Sequence, residues 1–220
     1  MVARQLIADV IPPAKTTDSV QKVLDRMAEF RVSHMPIVEE NQLIGLISDD
    51  DLFEVSDFST PLSSINLRFD KICIGQEQHI YDAIRLFSDK KLSLIPVLDE
   101  NKTYLGVISI NAMMEYVASM AAVKEPGGII VLEISNRNNS LAHIAQIVES
   151  NNAQILSSYV NSFADSTRLE VTLKINRTDI SAIVAAFIRY DYVVVSKFND
   201  ASASDNINGR YDQLMNYLSF

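Results

Sequence analysis

"HMPIVEENQLIGLISDDDL", His34 to Leu52, returns about sixty residues later as "LIPVLDENKTYLGVISINAM", Leu94 to Met113. Each stretch has an apolar-Pro step, a short acidic turn, and a Gly opening an apolar strand that ends in Ser. Pro36 and Pro96 stand 60 positions apart, Gly45 and Gly106 stand 61 apart, and the added residue falls in the turn, where a hairpin tolerates it. Upstream, Val20, Val23, Leu24 and Met27 match Ile80, Ala83, Ile84 and Phe87. Each set is spaced i, i+3, i+4, i+7, the mark of an amphipathic helix. The unit is therefore a short extended segment, a helix (about 19–30 and 79–90), two strands joined by a turn, and a second helix. One such unit is too small to close a core, so two are expected to pack around a pseudo-twofold axis with a cleft between them.

The copies part company after the shared Ser. Ser48 is followed by Asp49, Asp50 and Asp51, whereas Ser109 is followed by Ile110, Asn111 and Ala112. A Ser between strand and helix lies beside unpaired N–H groups that favour a phosphate, and an Asp three residues on can accept ribose hydroxyls. The same spacing is also a capping box, in which each side chain satisfies a backbone N–H and no ligand is involved. Spacing alone leaves both readings open. Three carboxylates at the helix start oppose a bare phosphate unless Lys15, Arg31 or His34 compensates, so a metal-chelated polyphosphate or a neutral or cationic tail is less disfavoured.

"MPIV" with "GLISDDD", then "IPVL" with "GVISINA", resembles the tandem cystathionine-β-synthase (CBS) domain pair over about residues 5–122, with repeats at 5–57 and 65–122. The resemblance implies a regulatory module that dimerises through its helices and binds an adenosine-containing effector, of the AMP, ATP or S-adenosylmethionine class, in its cleft. On this chain the implied ligand residues are Ser48, Asp51, His34, Met35, Pro36, Lys15 and Ser109. Because Ala112 stands where the second Asp would be, one nucleoside site is expected, on the Asp51 side.

After "MEYVASMAAVKEPGG" the pattern changes, and Pro126-Gly127-Gly128 punctuates a boundary near residue 124. The chain beyond it reads as strand (129–135), helix (140–151), strands (154–163 and 167–175), helix (179–190) and strand (192–198). "RLEVTLKI" alternates throughout, with Leu169, Val171, Leu173 and Ile175 on one face and Arg168, Glu170, Thr172 and Lys174 on the other. The order βαββαβ is the ferredoxin-like arrangement. The expected fold is thus mixed α/β: a CBS pair followed, over 127–198, by a ferredoxin-like domain. This second part resembles an ACT domain, an amino-acid-sensing module. In that family the first strand leads into Asp-x-Pro-Gly-x-Leu; here "NRNNSL" offers Asn136, Asn138, Asn139 and Ser140 as the corresponding loop, with Asn136 in place of the carboxylate and Asn139 keeping the tolerance for positive φ. CBS pair followed by ACT domain is also the order seen in acetoin-utilisation accessory proteins. Residues 199–220 read as a polar linker and an amphipathic helix carrying Tyr211, Leu214, Met215 and Leu218, which needs a surface to dock on.

Composition narrows the function. The formal net charge of −9 argues against a nucleic-acid partner, which needs a basic footprint. The longest apolar runs are too short for a membrane span, the N-terminus lacks a signal segment, and lone Cys73 reads as a buried thiol; the expectation is a cytoplasmic protein. Three His and one Cys show no metal-ligand spacing, and there is no phosphate loop of the Gly-x4-Gly-Lys-Ser/Thr type. The expectation is therefore a homodimeric, non-enzymatic sensor of a small-molecule effector, with no metal, cofactor or membrane partner. The alternative is a ligand-free dimerisation module.

Overall fold

The structure, a computed structural model, describes residues 1–7, 11–65, 71–135, 140–163 and 168–199. The chain divides into two compact units, Met1–Tyr116 and Val117–Phe220, a few residues ahead of the boundary that Pro126-Gly127-Gly128 suggests.

The first unit contains the repeat, except for the end of its last helix, which runs on past Tyr116. Its first half has α1 (Val20–Phe30), β1 (His34–Glu39), β2 (Gln42–Ser48) and α2 (Asp49–Phe53); its second has β3 (Ile74–Gly75), α3 (Ile80–Lys90), β4 (Leu94–Leu98), β5 (Tyr104–Ser109) and α4 (Ile110–Met120). Helices α1 and α3 begin and end at equivalent positions for equivalent reasons. Ser19 and His79 accept the N–H of Lys22 and Tyr81, and Arg31 and Lys91 turn left-handed at φ 53 to stop each helix. The apolar stripe buries as its spacing requires: Val20, Val23 and Met27 in one, Ile80, Ala83 and Phe87 in the other. Each of the larger side chains contributes about 1.5–3 kcal/mol by leaving water, and Ala83 less.

β1 pairs antiparallel with β2, and β4 with β5, with a register irregularity at Ile37/Val38 in one and at Val97/Leu98 in the other. β3 lies parallel to β4, and in the first half Ala14 takes the same place as an isolated parallel bridge to Ile37. The halves also exchange segments. The N–H groups of Ala3 and Arg4 donate to the carbonyls of Gln78 and Gln76 in the second half, while those of Leu62 and Ser63 donate to Asp18 and Thr16 in the first. Neither repeat is therefore complete without residues from the other's side of the chain. Gly106, at φ +148, admits Ile7 of the N-terminal segment: a Cβ there would stand 2.5 Å from the Ile7 methyl.

The second unit has β6 (Ile129–Ser135), α5 (Leu141–Ser150), β7 (Ile155–Ser162), β8 (Arg168–Ile175), α6 (Ser181–Arg189) and β9 (Val193–Phe198). The four strands form one antiparallel sheet in the order β7-β8-β6-β9. Ile130, Leu132 and Ile134 of β6 and Val171, Leu173 and Ile175 of β8 meet Ile144, Ile147 and Val148 of α5 and Ile183, Val184 and Phe187 of α6 in one core. The alternation of "RLEVTLKI" thus sorts the apolar residues inward. Lys174 departs from the expected open face: it is only 9% exposed, and its Nζ donates to the Gly127 carbonyl at 2.9 Å. Gly127 itself, at φ +154, lies so close to the Ile175 carbonyl that a Cβ would overlap it. The tail expected at 209–220 lies outside the described residues.

Candidate nucleoside site

The Ser48–Asp51 pair forms because β2 hands directly into α2. Ser48 is the N-cap, with extended backbone (φ −95, ψ 160). Its Oγ accepts the Asp51 N–H at 3.1 Å, and Asp51 Oδ2 accepts the Ser48 N–H at 3.2 Å and the Ser48 hydroxyl at 2.5 Å. The capping box is therefore formed, and it engages one carboxylate oxygen. Among the described residues the Asp51 carboxylate accepts only through Oδ2, which leaves Oδ1 as an acceptor. Capping and ligand binding are thus compatible on one side chain.

Ser48 and Asp51 open on a cavity of about 270 Å³ lined also by His34, Leu46, Ile72, Lys90 and Leu92. His34 enters from the start of β1, where its Nδ1 accepts the Ser93 N–H at 3.3 Å and lies 3.0 and 3.2 Å from the hydroxyls of Ser33 and Ser93. With Nδ1 accepting, the neutral ring carries its proton on Nε2. Burial lowers the His34 pKa below its usual 6.5, and the nearby Asp49, Asp51 and Asp50 offset part of that effect. The ring is accordingly neutral near pH 7.

The remaining candidate residues take other places. Met35 and Pro36 are buried in β1, where they pair with Ile47 and Leu46, and neither lines the cavity. Lys15 is exposed and does not line the cavity; its backbone N–H donates to Asp18. Arg31 lines a separate groove of about 570 Å³ with Asp25, Asp49, Phe53 and Phe58. The cation in the cavity is instead Lys90, which motif spacing does not single out, any more than it does Ile72, Leu46 and Leu92. The sixty-residue offset held the signal, since Lys90 corresponds to Phe30. Ser109 accepts the Ala112 N–H at 3.1 Å and caps α4 without a carboxylate to complete the box.

In the second unit Ser140 caps α5, its hydroxyl accepting the His143 N–H at 3.2 Å. Asn136, Asn138 and Asn139 lie outside the described residues. Cys73 is half-buried rather than fully enclosed, and burial raises its thiol pKa. Among the described residues no group of His, Cys, Asp and Glu is placed to hold a metal ion, and no helix is long and apolar enough to cross a membrane.

The CBS domain profile matches residues 3–57 and 62–119, just over half of the chain, and the chain belongs to the CBS domain family. CBS domain pairs are regulatory, nucleotide-sensing modules. Among curated proteins, the chain is 26% identical over 140 residues to the inosine-5'-monophosphate dehydrogenase of Aquifex aeolicus, covering 61% of this chain and 29% of that enzyme. It is 22% identical over 130 residues to the same enzyme of Bacillus subtilis, covering 57% of this chain and 27% of that one. The chain thus spans less than a third of these relatives. Among solved structures it is similar to a CBS domain pair/ACT domain protein of Thermotoga maritima (TM-score 0.47, 19% identity, 53% of this chain and 96% of that one). It is also similar to a Vibrio cholerae protein assigned to acetoin utilization (0.49, 18%, 56% and 95%) and to CBSX2 in complex with AMP (0.43, 20%, 56% and 98%).

Proposed function

We propose that this protein is a non-enzymatic regulatory sensor that takes an adenosine-containing ligand into the cavity bounded by Ser48, Asp51 and His34. The observation that carries the reading is Asp51: it lines the cavity and caps α2 through Oδ2, which leaves Oδ1 to accept from ribose hydroxyls. The cavity lies just below the roughly 300 Å³ at which small-molecule pockets begin, so it suits a nucleoside with its tail projecting. Leu46, Ile72 and Leu92 supply apolar surface for a base, and His34 Nε2–H supplies a donor. Only one such site per chain is proposed, because the corresponding place at Ser109 has Ala112 for Asp51.

The C-terminal unit is, in this reading, a ferredoxin-like ACT-type domain, supported by its βαββαβ order, its antiparallel sheet and its two helices on one face. It serves pairing of the chain into a homodimer. Thermal denaturation against adenosine, AMP, ATP, S-adenosylmethionine and a set of amino acids tests the proposal. A ligand present at 100 times its Kd stabilises the folded state by about 2.7 kcal/mol. Adenine-containing compounds are expected to raise the melting temperature and Asp51→Ala to abolish the rise. A flat response to the whole panel would instead favour a ligand-free dimerisation module.

A further inference from the structure

The helices of the second unit cover one face of its sheet. Leu132, Ile134 and Val194 pack toward α5 and α6, so by alternation Val131, Glu133 and Val193 face the other way. That open face is not uniform. At one end Arg168 pairs with Glu133 at 2.9 Å and with Glu170 at 3.1 Å. On the β7–β8 side the connection ahead of β6 comes down on it: the Ser157 hydroxyl donates to the Ala121 carbonyl at 2.8 Å, and Lys174 Nζ donates to that of Gly127. On the β6–β9 side Ile129 stands opposite Phe198, and Val193 and Phe198 are each 58% exposed. An apolar strip therefore runs along β6 and β9 and reaches Phe198, one residue before the described chain ends at Asn199.

We infer that residues 210–220 of the same chain fold back as a helix onto this strip. Tyr211, Leu214, Met215 and Leu218 form an uncharged stripe at helical spacing, which suits the apolar strip and not the Arg168 end of the face. A helix of this length is marginal in water on its own, so its folding and its docking are one event. The lengths agree. Residues 200–209, as a flexible linker, have a root-mean-square span of about 17 Å, the four strands are about 14 Å across, and the helix would be about 16 Å long. Starting beside Phe198, the tail meets the strip at an effective concentration on the order of millimolar. That favours it over a second copy of the chain at micromolar concentration.

The chain contains no tryptophan, so Tyr211→Trp places a single fluorescent reporter on the stripe of the full chain. Its emission should be blue-shifted, and its quenching by acrylamide several-fold weaker than in the urea-unfolded chain. Val193→Glu combined with Phe198→Glu, both at exposed positions, should return quenching to nearly the unfolded level. Leu214→Asp, which leaves the sheet untouched, should do the same. Ile188→Glu, on α6 and also exposed, should leave the reporter shielded. Shielding should persist when the reporter chain is refolded together with an excess of the Val193→Glu, Phe198→Glu chain, because each tail keeps to its own sheet. Melting curves establish that each variant is folded; if the double variant is not, Phe198→Ser takes its place. A reporter as open to acrylamide as in urea overturns the inference, and so does shielding that survives Leu214→Asp. Shielding that survives the sheet variant puts the tail elsewhere, and loss of shielding on refolding with the excess chain puts it on a second copy; either result also overturns it.

Discussion

The backbone N–H of Ser93 donates to Nδ1 of His34 at 3.3 Å, joining the two repeats one residue out of register, across 59 residues of sequence. A ring held this way must lose an acceptor to become charged. Its pKa already lies below 6.5 because it is half-buried, despite the opposing pull of Asp49, Asp51 and Asp50. For a base with a depressed folded pKa, the unfolded chain binds the proton first as pH falls. The stability contribution is therefore complete above pH 6.5 and is lost as pH drops through the folded pKa. Melting temperatures of wild type and His34→Gln, followed from pH 7.5 downward, should show wild type losing stability from about pH 6.5 and the variant running flatter there. Glu39, held below its usual 4.5 by the Thr16 hydroxyl, loses its contribution only in more acid solution, so the two windows separate. Parallel curves would mean that His34 does not control this range.

Gly127→Ala should destabilise the C-terminal unit by about 2 kcal/mol or more, because φ +154 is costly for alanine and the new Cβ would overlap the Ile175 carbonyl. The Gly128 carbonyl accepts the Ile175 N–H at 2.9 Å, so the strain falls on the edge of the β8 ladder. Urea denaturation should record it as a lower midpoint. An unchanged midpoint would show that the segment before β6 can move away at no cost.

Most of the architecture could be read because both units bury one face with a regular period. The spacing of Val20, Val23 and Met27, and the alternation of Leu169 to Ile175, each match a buried stripe nearly residue for residue. Positions set by long-range geometry could not be read. Lys174 alternates with the open face, yet its ammonium is drawn under cover by the Gly127 carbonyl, a partner 47 positions away. Lys15 is nearer to Ser48 along the chain than Lys90 is, yet it is the end of α3, not residue 15, that lines the cavity. The competition between cap and ligand at Asp51 could be posed from spacing but needed atoms to answer, since it turns on which of two carboxylate oxygens is engaged.

Ala112→Asp is the complementary experiment. Ser109 already accepts the residue-112 N–H, and α4 has no acidic residue in its first turn. A carboxylate there completes the cap and opposes no existing negative charge in that turn, so a gain of about 0.3–1 kcal/mol is expected. Binding of an adenosine ligand on the Asp51 side should not weaken. Loss of stability would show that residue 112 has no room for the side chain.

The protein should be a homodimer by light scattering at micromolar concentration. α4 buries Met113 but leaves Met114 61% and Met120 45% exposed, apolar surface that a partner chain would cover. Met114→Glu combined with Met120→Glu should shift the mass toward monomer. A wild-type monomer at that concentration would remove the dimer from the proposed function, and a variant still fully dimeric would move the interface elsewhere.

Asp51 carries the site assignment, and three substitutions separate its two roles. Asp51→Ala removes the capping acceptor and the free oxygen together, and should lower stability by about 1 kcal/mol without ligand and abolish the further rise that a saturating adenosine ligand gives wild type. Asp51→Asn keeps an oxygen that can accept the Ser48 N–H and hydroxyl, but replaces Oδ1 with an amide donor or turns that donor on Ser48. It should retain more of the unliganded stability than Asp51→Ala while losing affinity as severely, because two ribose donors then face a group without charge. Ser48→Ala leaves the carboxylate but frees it to rotate, so it should weaken adenosine and AMP by similar factors rather than AMP alone, the serine hydrogen being directed to Asp51 and not to the phosphate. The measurement is the melting temperature of each protein across a ligand titration. If Asp51→Ala starts lower yet gains as much from ligand as wild type, with the same half-saturating concentration, Asp51 is only a cap and the nucleoside must be sought at another place in the fold.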